Sequence, residues 1–302
     1  MQVDWNSYQS PHVRKLAWAL YSPPLLLGFT GNLPATTQSD TQLFADLDRK
    51  PDRLDNYLSN VNSHRLGYYF EALWAFYFEH HPEYQLLGHN LQVINTEKRT
   101  LGAFDFIYRH LPSSQVHHLE VAVKFYLFTG NHNQLNDRAR WPGPNPKDNL
   151  ATKEQRLLDH QLPLSRSTEG RIAIAKLGAD RVTASSAALK GYLFYPWNSG
   201  SERPDWTPEN HCFGHWLYAS RLPQLVEQHP DSDWHLLEKQ QWLGTRFHIP
   251  QAETHTGEEL LELAQISDIT YPVMAARVSQ VGEGFNEKER FFVVPDTWPK
   301  HD

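Results

Sequence analysis

The chain has 302 residues, of which 40% are hydrophobic and 13% aromatic, enough apolar material for a folded core. Its net charge of −7 argues against a protein that coats nucleic acid through overall charge, and its single cysteine excludes an internal disulfide. The start, MQVDWNSYQS, is unlike a secretory signal, and Pro23 and Pro24 interrupt the longest apolar stretch. These features predict a cytoplasmic protein without a membrane span.

The first 60 residues predict an N-terminal helical extension. The segment HVRKLAWALYS predicts a helix that Pro23 and Pro24 end, because proline lacks the backbone N–H that a helix interior needs. A second helical segment, DTQLFADLDRKPDRLDNYLSN, is interrupted by Pro51. Both segments are predicted to be packing elements.

The next helix, in SHRLGYYFEALWAFYFEHHPEY, is predicted to be buried. Ser63 is its expected N-cap and Pro82 its expected stop, and the residues between them are apolar almost all round. Glu71 is the exception on this apolar helix. A carboxylate there costs roughly several kcal/mol unless it is paired, protonated or bound to a metal, so Glu71 is a candidate functional residue.

Three strands are predicted next, at about residues 85–95, 101–109 and 116–127, with HLPSSQ as the last turn. The loop GPNPKD separates them from two helices, NLATKEQRLLDHQL and RIAIAKLGA, and from a buried strand, KGYLFYPW. The final third predicts a helix near GEELLELAQI and strands near YPVMAARVSQV and RFFVVPD. The order of elements indicates an α/β protein.

Two carboxylates face each other in the predicted hairpin. If Arg109 pairs with Val116, antiparallel pairing keeps the sum of paired residue numbers at 225, which places Asp105 opposite Glu120. With Cβ atoms about 5 Å apart, the two charges repel unless a positive charge lies between them, and a divalent cation supplies that charge. The alternative is a solvated strand end, or an ion-pair network with Lys124 and Arg109.

Charge is distributed unevenly along the chain. Residues 131–200 carry 10 Lys or Arg against 6 Asp or Glu, a balance of +4, whereas residues 201–302 carry 8 against 17, a balance of −9. The basic segment is therefore the predicted contact for nucleic acid, and the acidic C-terminal third is predicted to cover the sheet or to bind a protein partner.

The pattern of an acid-bearing helix, an Asp in the second strand, a Glu in the third, a nearby lysine and a following basic helix resembles the PD-(D/E)XK nuclease superfamily. More narrowly, LAWALYSPPLLL, LGAFDFIY and EVAVKFYL resemble a family of bacterial proteins of unknown function placed in that superfamily. The narrow resemblance spans most of the chain but implies no assigned activity. The broad one covers roughly residues 60–200.

The resemblance implies an α/β fold with a restriction-endonuclease-like core over residues 61–200. This core has a helix, three strands, a helix and a strand around a central mixed sheet. Residues 1–60 then form the helical extension, and residues 201–302 an acidic extension or subdomain.

The resemblance also implies a metal-dependent nuclease that hydrolyses the phosphodiesters of DNA or RNA. Asp105 and Glu120 would hold Mg²⁺ or Mn²⁺, Glu71 would extend the site from its helix, and Lys124 would orient or activate the attacking water. Three residues of the basic helical region would contact the nucleic-acid backbone: Lys153, Arg156 and Gln161.

One feature departs from the superfamily pattern. Its acid and lysine are usually two residues apart, but Glu120 and Lys124 are four apart, about 13 Å instead of about 7 Å along an extended strand. A β-bulge near Ala122 would shorten the distance, or the ligand set has migrated and Glu71 compensates. The third alternative is a catalytically inactive descendant that binds nucleic acid or protein.

Other chemistries have weaker support in the sequence. Cys212 and His215 have a zinc-like spacing, but no second close pair of Cys or His accompanies them. Paired carboxylates also serve glycosidases, which need a sugar-binding cleft. The tryptophans are expected in the core or at an interface.

Overall fold

The structure is a computed structural model that describes residues 4–29, 33, 37–61, 63, 65–200, 202–266 and 269–299. Its α-helices are α1 Pro11–Tyr21, α2 Gln38–Arg49, α3 Asp52–Ser59, α4 Leu66–His80, α5 Leu150–Arg156, α6 Thr168–Ala175, α7 Leu222–Glu227 and α8 Gly257–Ile266. Its strands are β1 Tyr84–Ile94, β2 Thr100–His110, β3 Gln115–Leu127, β4 Ala184–Pro196, β5 Phe213–Tyr218, β6 Asp233–Leu237, β7 Val273–Val281 and β8 Gly284–Val294.

The fold is mixed α/β, as the sequence predicts. Across the described residues the strands form one eight-stranded sheet in the order β1-β2-β3-β4-β5-β8-β7-β6. β1, β2 and β3 pair antiparallel, β5 pairs parallel with both β4 and β8, and β6, β7 and β8 pair antiparallel. The sheet is therefore mixed.

The chain divides into two compact units, Met1–Val123 with Thr152–Lys190, and Lys124–Ala151 with Gly191–Asp302. β3 and β4 each contribute residues to both units. The boundary predicted near residue 60 falls inside the first unit, and the one predicted near residue 200 falls inside the second. The predicted division into domains at these two positions stays a prediction.

In the first unit, α4 packs through an aromatic face. Phe78 stacks on Tyr108 of β2 with ring centroids 4.3 Å apart, and Phe70 contacts Trp18 of α1 edge-on. Side chains of α4 from Tyr69 onward are mostly buried, which confirms the predicted buried helix. Burial of such rings supplies much of the stabilisation of this unit, about 1.5–3 kcal/mol for each large apolar side chain.

The predicted helix ends are correct in one place and wrong in another. α2 ends at Arg49 and α3 begins at Asp52, so Pro51 separates two helices as predicted. Ser63 is not the N-cap of α4, because the helix begins at Leu66 and Arg65 occupies the cap position without a side-chain hydrogen bond. The Ser63 hydroxyl instead accepts a hydrogen bond from the Arg65 N–H, just outside the helix.

The second unit contains its own apolar core. Trp234, Phe291 and Leu225 are buried together in it, and α8, β7 and β8 lie where the sequence predicts them. A buried ion pair of Arg290 with Glu287 lies in the same unit, where the guanidinium also donates to two backbone carbonyls. β5 and β6 were not predicted, because strands of six and five residues are too short for an apolar alternation to be recognised.

Candidate active site

The β2–β3 hairpin has the predicted register. The backbone pairs run from His110 with Gln115 to Phe106 with Leu119, which keeps the sum of residue numbers at 225. The next row along the two strands is Asp105 and Glu120. The two acids therefore stand at the point where regular β2–β3 pairing ends.

At this row the carboxylates take over the role of backbone acceptors. The Val121 N–H donates to Asp105 Oδ2 at 2.9 Å, and the Asp105 N–H donates to Glu120 Oε1 at 3.5 Å. Within the described residues no hydrogen bond reaches the second carboxylate oxygen of Asp105, Oδ1. One oxygen of Asp105 is therefore fixed by the neighbouring strand while the other is available to a ligand.

The strands lose their regular alternation at the same row. Phe106 of β2 packs on Phe78 of α4, whereas Phe104, two residues earlier, packs edge-on against His118 in a different apolar cluster. In an undisturbed strand the two rings would share one face. In β1, Asn90 has a φ of +50°, in the left-handed region. This local distortion lets polar side chains from several elements approach each other.

Glu120 is almost fully buried and is held by side chains on two sides. His118 Nε2 donates to Glu120 Oε1 at 2.8 Å, and Gln161 Nε2 donates to Oε2. His118 Nδ1 forms a hydrogen bond with the Ser185 hydroxyl at 3.2 Å. Sequence reasoning missed His118, although its position two residues before Glu120 on one strand placed both on the same face.

Burial and mutual repulsion control the ionisation of the acids. The pKa of Asp105 is raised to about 8, chiefly by burial and then by the charge of Glu120, while the Val121 N–H and Lys153 act in the opposite direction. At neutral pH Asp105 therefore holds its proton when no cation is present, and a bound cation would favour its ionised form.

Glu71 lies at the edge of this group, on α4. Its pKa is raised by burial first and also by the charge of Glu120, against the effect of the Asn90 side-chain amide, which donates to Glu71 Oε2 at 3.4 Å. Glu71 and Asn90 line a cavity of about 390 Å³ whose walls include the aromatic rings of Tyr57 and Tyr68. The cavity provides space for a ligand beside Glu71.

The predicted basic residues have different surroundings. Lys124 Nζ contacts Asp148 Oδ2 at 2.5 Å, so its charge is paired within the second unit. Lys153 Nζ donates to Gln161 Oε1 at 3.0 Å, and the Gln161 amide in turn binds Glu120. Arg156, at the end of α5, is exposed. Gln161 thus joins Lys153 to the acidic group, and the nucleic-acid contact of Lys153, Arg156 and Gln161 stays a prediction.

The three predicted acids do not form a three-ligand metal centre. Among the described residues, no group of three or more His, Cys, Asp or Glu side chains is arranged to hold a metal ion, and this includes Cys212 and His215. Asp105 and Glu120 nevertheless fit a site with two protein ligands, because Mg²⁺ is commonly held by one or two carboxylates with water and substrate oxygens. The available Asp105 oxygen agrees with such a site, as does the raised pKa of Asp105, since burial and the charge of Glu120 make its anion costly unless a cation is bound.

None of the helices in the described ranges is both long and apolar enough to cross a bilayer.

Comparison with known proteins identifies one family. Residues 14–294 match the family model described as Domain of unknown function (DUF1853). No curated protein and no solved structure shows a significant match to the chain.

Proposed function

The chain belongs to the DUF1853 family, and we propose that it is a metal-dependent nuclease with a restriction-endonuclease-like core, which hydrolyses phosphodiester bonds of DNA or RNA. The observation that carries the proposal is the pair of Asp105 and Glu120 at the end of the β2–β3 pairing, with a raised pKa on Asp105. A buried, mutually repelling carboxylate pair favours a cation.

Asp105 and Glu120 would hold Mg²⁺ or Mn²⁺, which when bound supplies Lewis-acid stabilisation of negative charge on phosphate oxygens. The chain's own residues fix the geometry of the two ligands. The Val121 N–H orients Asp105, and His118 orients Glu120. Gln161 covers Glu120 Oε2 and would rotate away if that oxygen became a ligand.

The cavity beside Glu71 supports a substrate larger than a phosphate. Its lining combines the rings of Tyr57 and Tyr68 with the polar groups of Glu71, His89 and Asn90. Tyr68 is 48% exposed, so its ring is available for stacking with a nucleobase. The proposed substrate would lie along this cavity with its phosphate toward Asp105.

A second candidate is a catalytically inactive module that binds nucleic acid or protein. It is favoured by the pairing of Lys124 with Asp148, since a paired lysine is not positioned to activate water. The three protein hydrogen bonds to Glu120 favour it as well, because they satisfy that carboxylate without a metal.

For either function, the basic segment 131–200 is the proposed surface for nucleic acid, and the acidic segment 201–302 is proposed to bind a protein partner. Photo-crosslinking to labelled DNA and RNA, followed by peptide mapping, tests this assignment. Crosslinks concentrated in residues 201–302 would contradict it.

Cleavage of single-stranded, duplex and branched DNA and RNA in Mg²⁺ or Mn²⁺ tests the enzyme. We expect Asp105→Asn and Glu120→Gln to reduce the rate at least about 100-fold, since each removes an anionic ligand. Asp231→Asn, at an exposed acid of the second unit, is the matched control and should cleave normally. Circular dichroism verifies that each variant is folded.

Metal binding is measured separately by thermal unfolding. Mg²⁺ should raise the melting temperature of the native protein but not that of Asp105→Asn, because a ligand of the folded state stabilises it by mass action. A metal-independent melting temperature together with no cleavage of any substrate would replace the nuclease proposal with the binding module.

A further inference from the structure

A second polar cavity, of about 380 Å³, lies within the first unit. It is lined by residues of the turn before α6, of α6 itself and of the segment that enters β4. Its lining includes three arginines, Arg166, Arg171 and Arg181, and one acid, Asp180. The formal charge of the lining is therefore +2, in a protein whose net charge is −7.

The charges of the three arginines are unpaired within the described residues. In the part of the chain that the structure describes, no carboxylate or carbonyl oxygen contacts the side chain of Arg166, Arg171 or Arg181. Other arginines of the protein do have such partners: Arg277 binds Glu289 and Arg290 binds Glu287. Three exposed arginines line this one cavity, so their positive charges would stabilise an anion bound in it.

Hydroxyl groups complete the lining. Thr183 is exposed at the cavity, and its backbone N–H donates to the Val116 carbonyl at 2.7 Å, which leaves its hydroxyl without a hydrogen bond among the described residues. Ser165 and Ser185 share a hydrogen bond of 2.8 Å at the cavity wall. Guanidinium and hydroxyl donors together are the groups that recognise phosphate oxygens.

We propose that this cavity, lined by Arg166, Arg171, Arg181 and Thr183, is a binding site for a phosphate monoester group. Its ligand is either the terminal phosphate of a nucleic-acid strand or a free phosphate compound. The site does not depend on the proposed nuclease activity, because none of the four residues belongs to the acidic group at Asp105.

The cavity nevertheless has a physical connection to that group. The Ser185 hydroxyl, at the cavity wall, contacts His118 Nδ1, and His118 Nε2 binds Glu120. A continuous series of hydrogen bonds thus runs from Ser165 at the cavity to Glu120. A phosphate in the cavity lies at one end of this series, and the proposed metal ligand lies at the other.

Isothermal titration with inorganic phosphate and pyrophosphate, at constant ionic strength, tests the site directly. We expect saturable binding to the native protein and at least 10-fold weaker binding to the triple variant Arg166→Ala, Arg171→Ala, Arg181→Ala. Arg65→Ala removes an exposed arginine outside the lining and should bind like the native protein.

Asp180 provides a test in the opposite direction. Asp180→Asn removes the one negative charge of the lining and should tighten phosphate binding several-fold, a change that loss of folding cannot produce. The proposal is overturned if no phosphate compound binds saturably, or if the triple variant and Arg65→Ala bind equally well.

Oligonucleotides identify the source of the phosphate. If the cavity binds a nucleic-acid end, a strand with a 5′- or 3′-phosphate should bind more tightly than its hydroxyl-ended counterpart. This difference should be lost in the triple variant. Equal binding of the strands with retained binding of inorganic phosphate assigns it to a free phosphate compound. If neither the native protein nor any variant cleaves nucleic acid, the nuclease proposal fails. Phosphate binding that is retained by the native protein and by Asp105→Asn would then still support the phosphate site.

Discussion

Asp105 and Glu120 are joined by a hydrogen bond from the Asp105 backbone N–H to Glu120 Oε1, at 3.5 Å, at the row where β2 and β3 cease to pair regularly. A side chain thus replaces a carbonyl as the acceptor between strands, and Asp105 Oδ2 does the same for the Val121 N–H at 2.9 Å. The hydrogen bonds that hold the hairpin end together therefore depend on the same carboxylates that are candidates for metal binding.

Stability should depend on the ionisation of Asp105. Its folded-state pKa of about 8 lies above the ordinary value of 3.8, so between about pH 4 and 8 the folded state holds a proton that the unfolded state has lost. The free energy of unfolding therefore falls as pH rises through this window, by at most about 1.4 kcal/mol per pH unit from this group. Asp105→Asn keeps an acceptor for Val121 and should remove this part of the slope.

Urea unfolding at pH 5, 6, 7 and 8 measures the effect. We expect Asp105→Asn to be more stable than the native protein at pH 8 by about 1–3 kcal/mol, because the costly charge is absent. Asp231→Asn should follow the native curve. Parallel curves for the native protein and Asp105→Asn would show that Asp105 ionises normally.

Gln161 should contribute more to stability than its position on a polar helical segment suggests. Its amide donates to buried Glu120 and accepts from Lys153, so Gln161→Ala leaves a buried carboxylate oxygen without its donor and should cost about 1–3 kcal/mol. Gln155→Ala, six residues earlier and exposed, should change stability by less than about 0.5 kcal/mol. Equal effects in chemical denaturation would contradict the structural role of Gln161.

Substitutions of Lys124 and Asp148 distinguish a structural role of Lys124, in its ion pair, from a catalytic one. Lys124 and Asp148 are both partly exposed, so their ion pair should contribute only about 0.2–1 kcal/mol in a double-mutant cycle of Lys124→Ala and Asp148→Ala. If Lys124 acts in the transition state, Lys124→Ala lowers the cleavage rate far more than Asp148→Ala and leaves nucleic-acid affinity nearly unchanged. Undiminished cleavage by Lys124→Ala would assign the lysine to the ion pair alone.

Gly191 in β4 should not tolerate a side chain. Its φ is +142°, and a Cβ atom there would lie 1.7 Å from the carbonyl oxygen of Lys124. Gly191→Ala should therefore cost more than about 4 kcal/mol, or prevent folding, since backbone must move to relieve the contact. Gly200→Ala, where a Cβ meets nothing within 4 Å, is the control for thermal unfolding and should melt near the native temperature.

The sequence by itself determined the local features of this protein. Alternating and helical apolar patterns predicted β1, β2, β3 and α4 to within a few residues, and Pro51 marked the gap between two helices. The register that places Asp105 beside Glu120 also followed from the sequence, because a short turn leaves a hairpin little freedom in pairing.

Only the tertiary structure decided which groups surround those acids. Gln161 reaches Glu120 across 41 residues of sequence, Ser185 reaches His118 across 67, and Asp148 pairs with Lys124 across 24. The irregular helical turns after α5 set the position of Gln161, and no periodic pattern encodes such contacts. Local patterns specify strands and turns because they depend on neighbouring residues, whereas the partners and the raised pKa of Asp105 depend on how distant segments pack and exclude water.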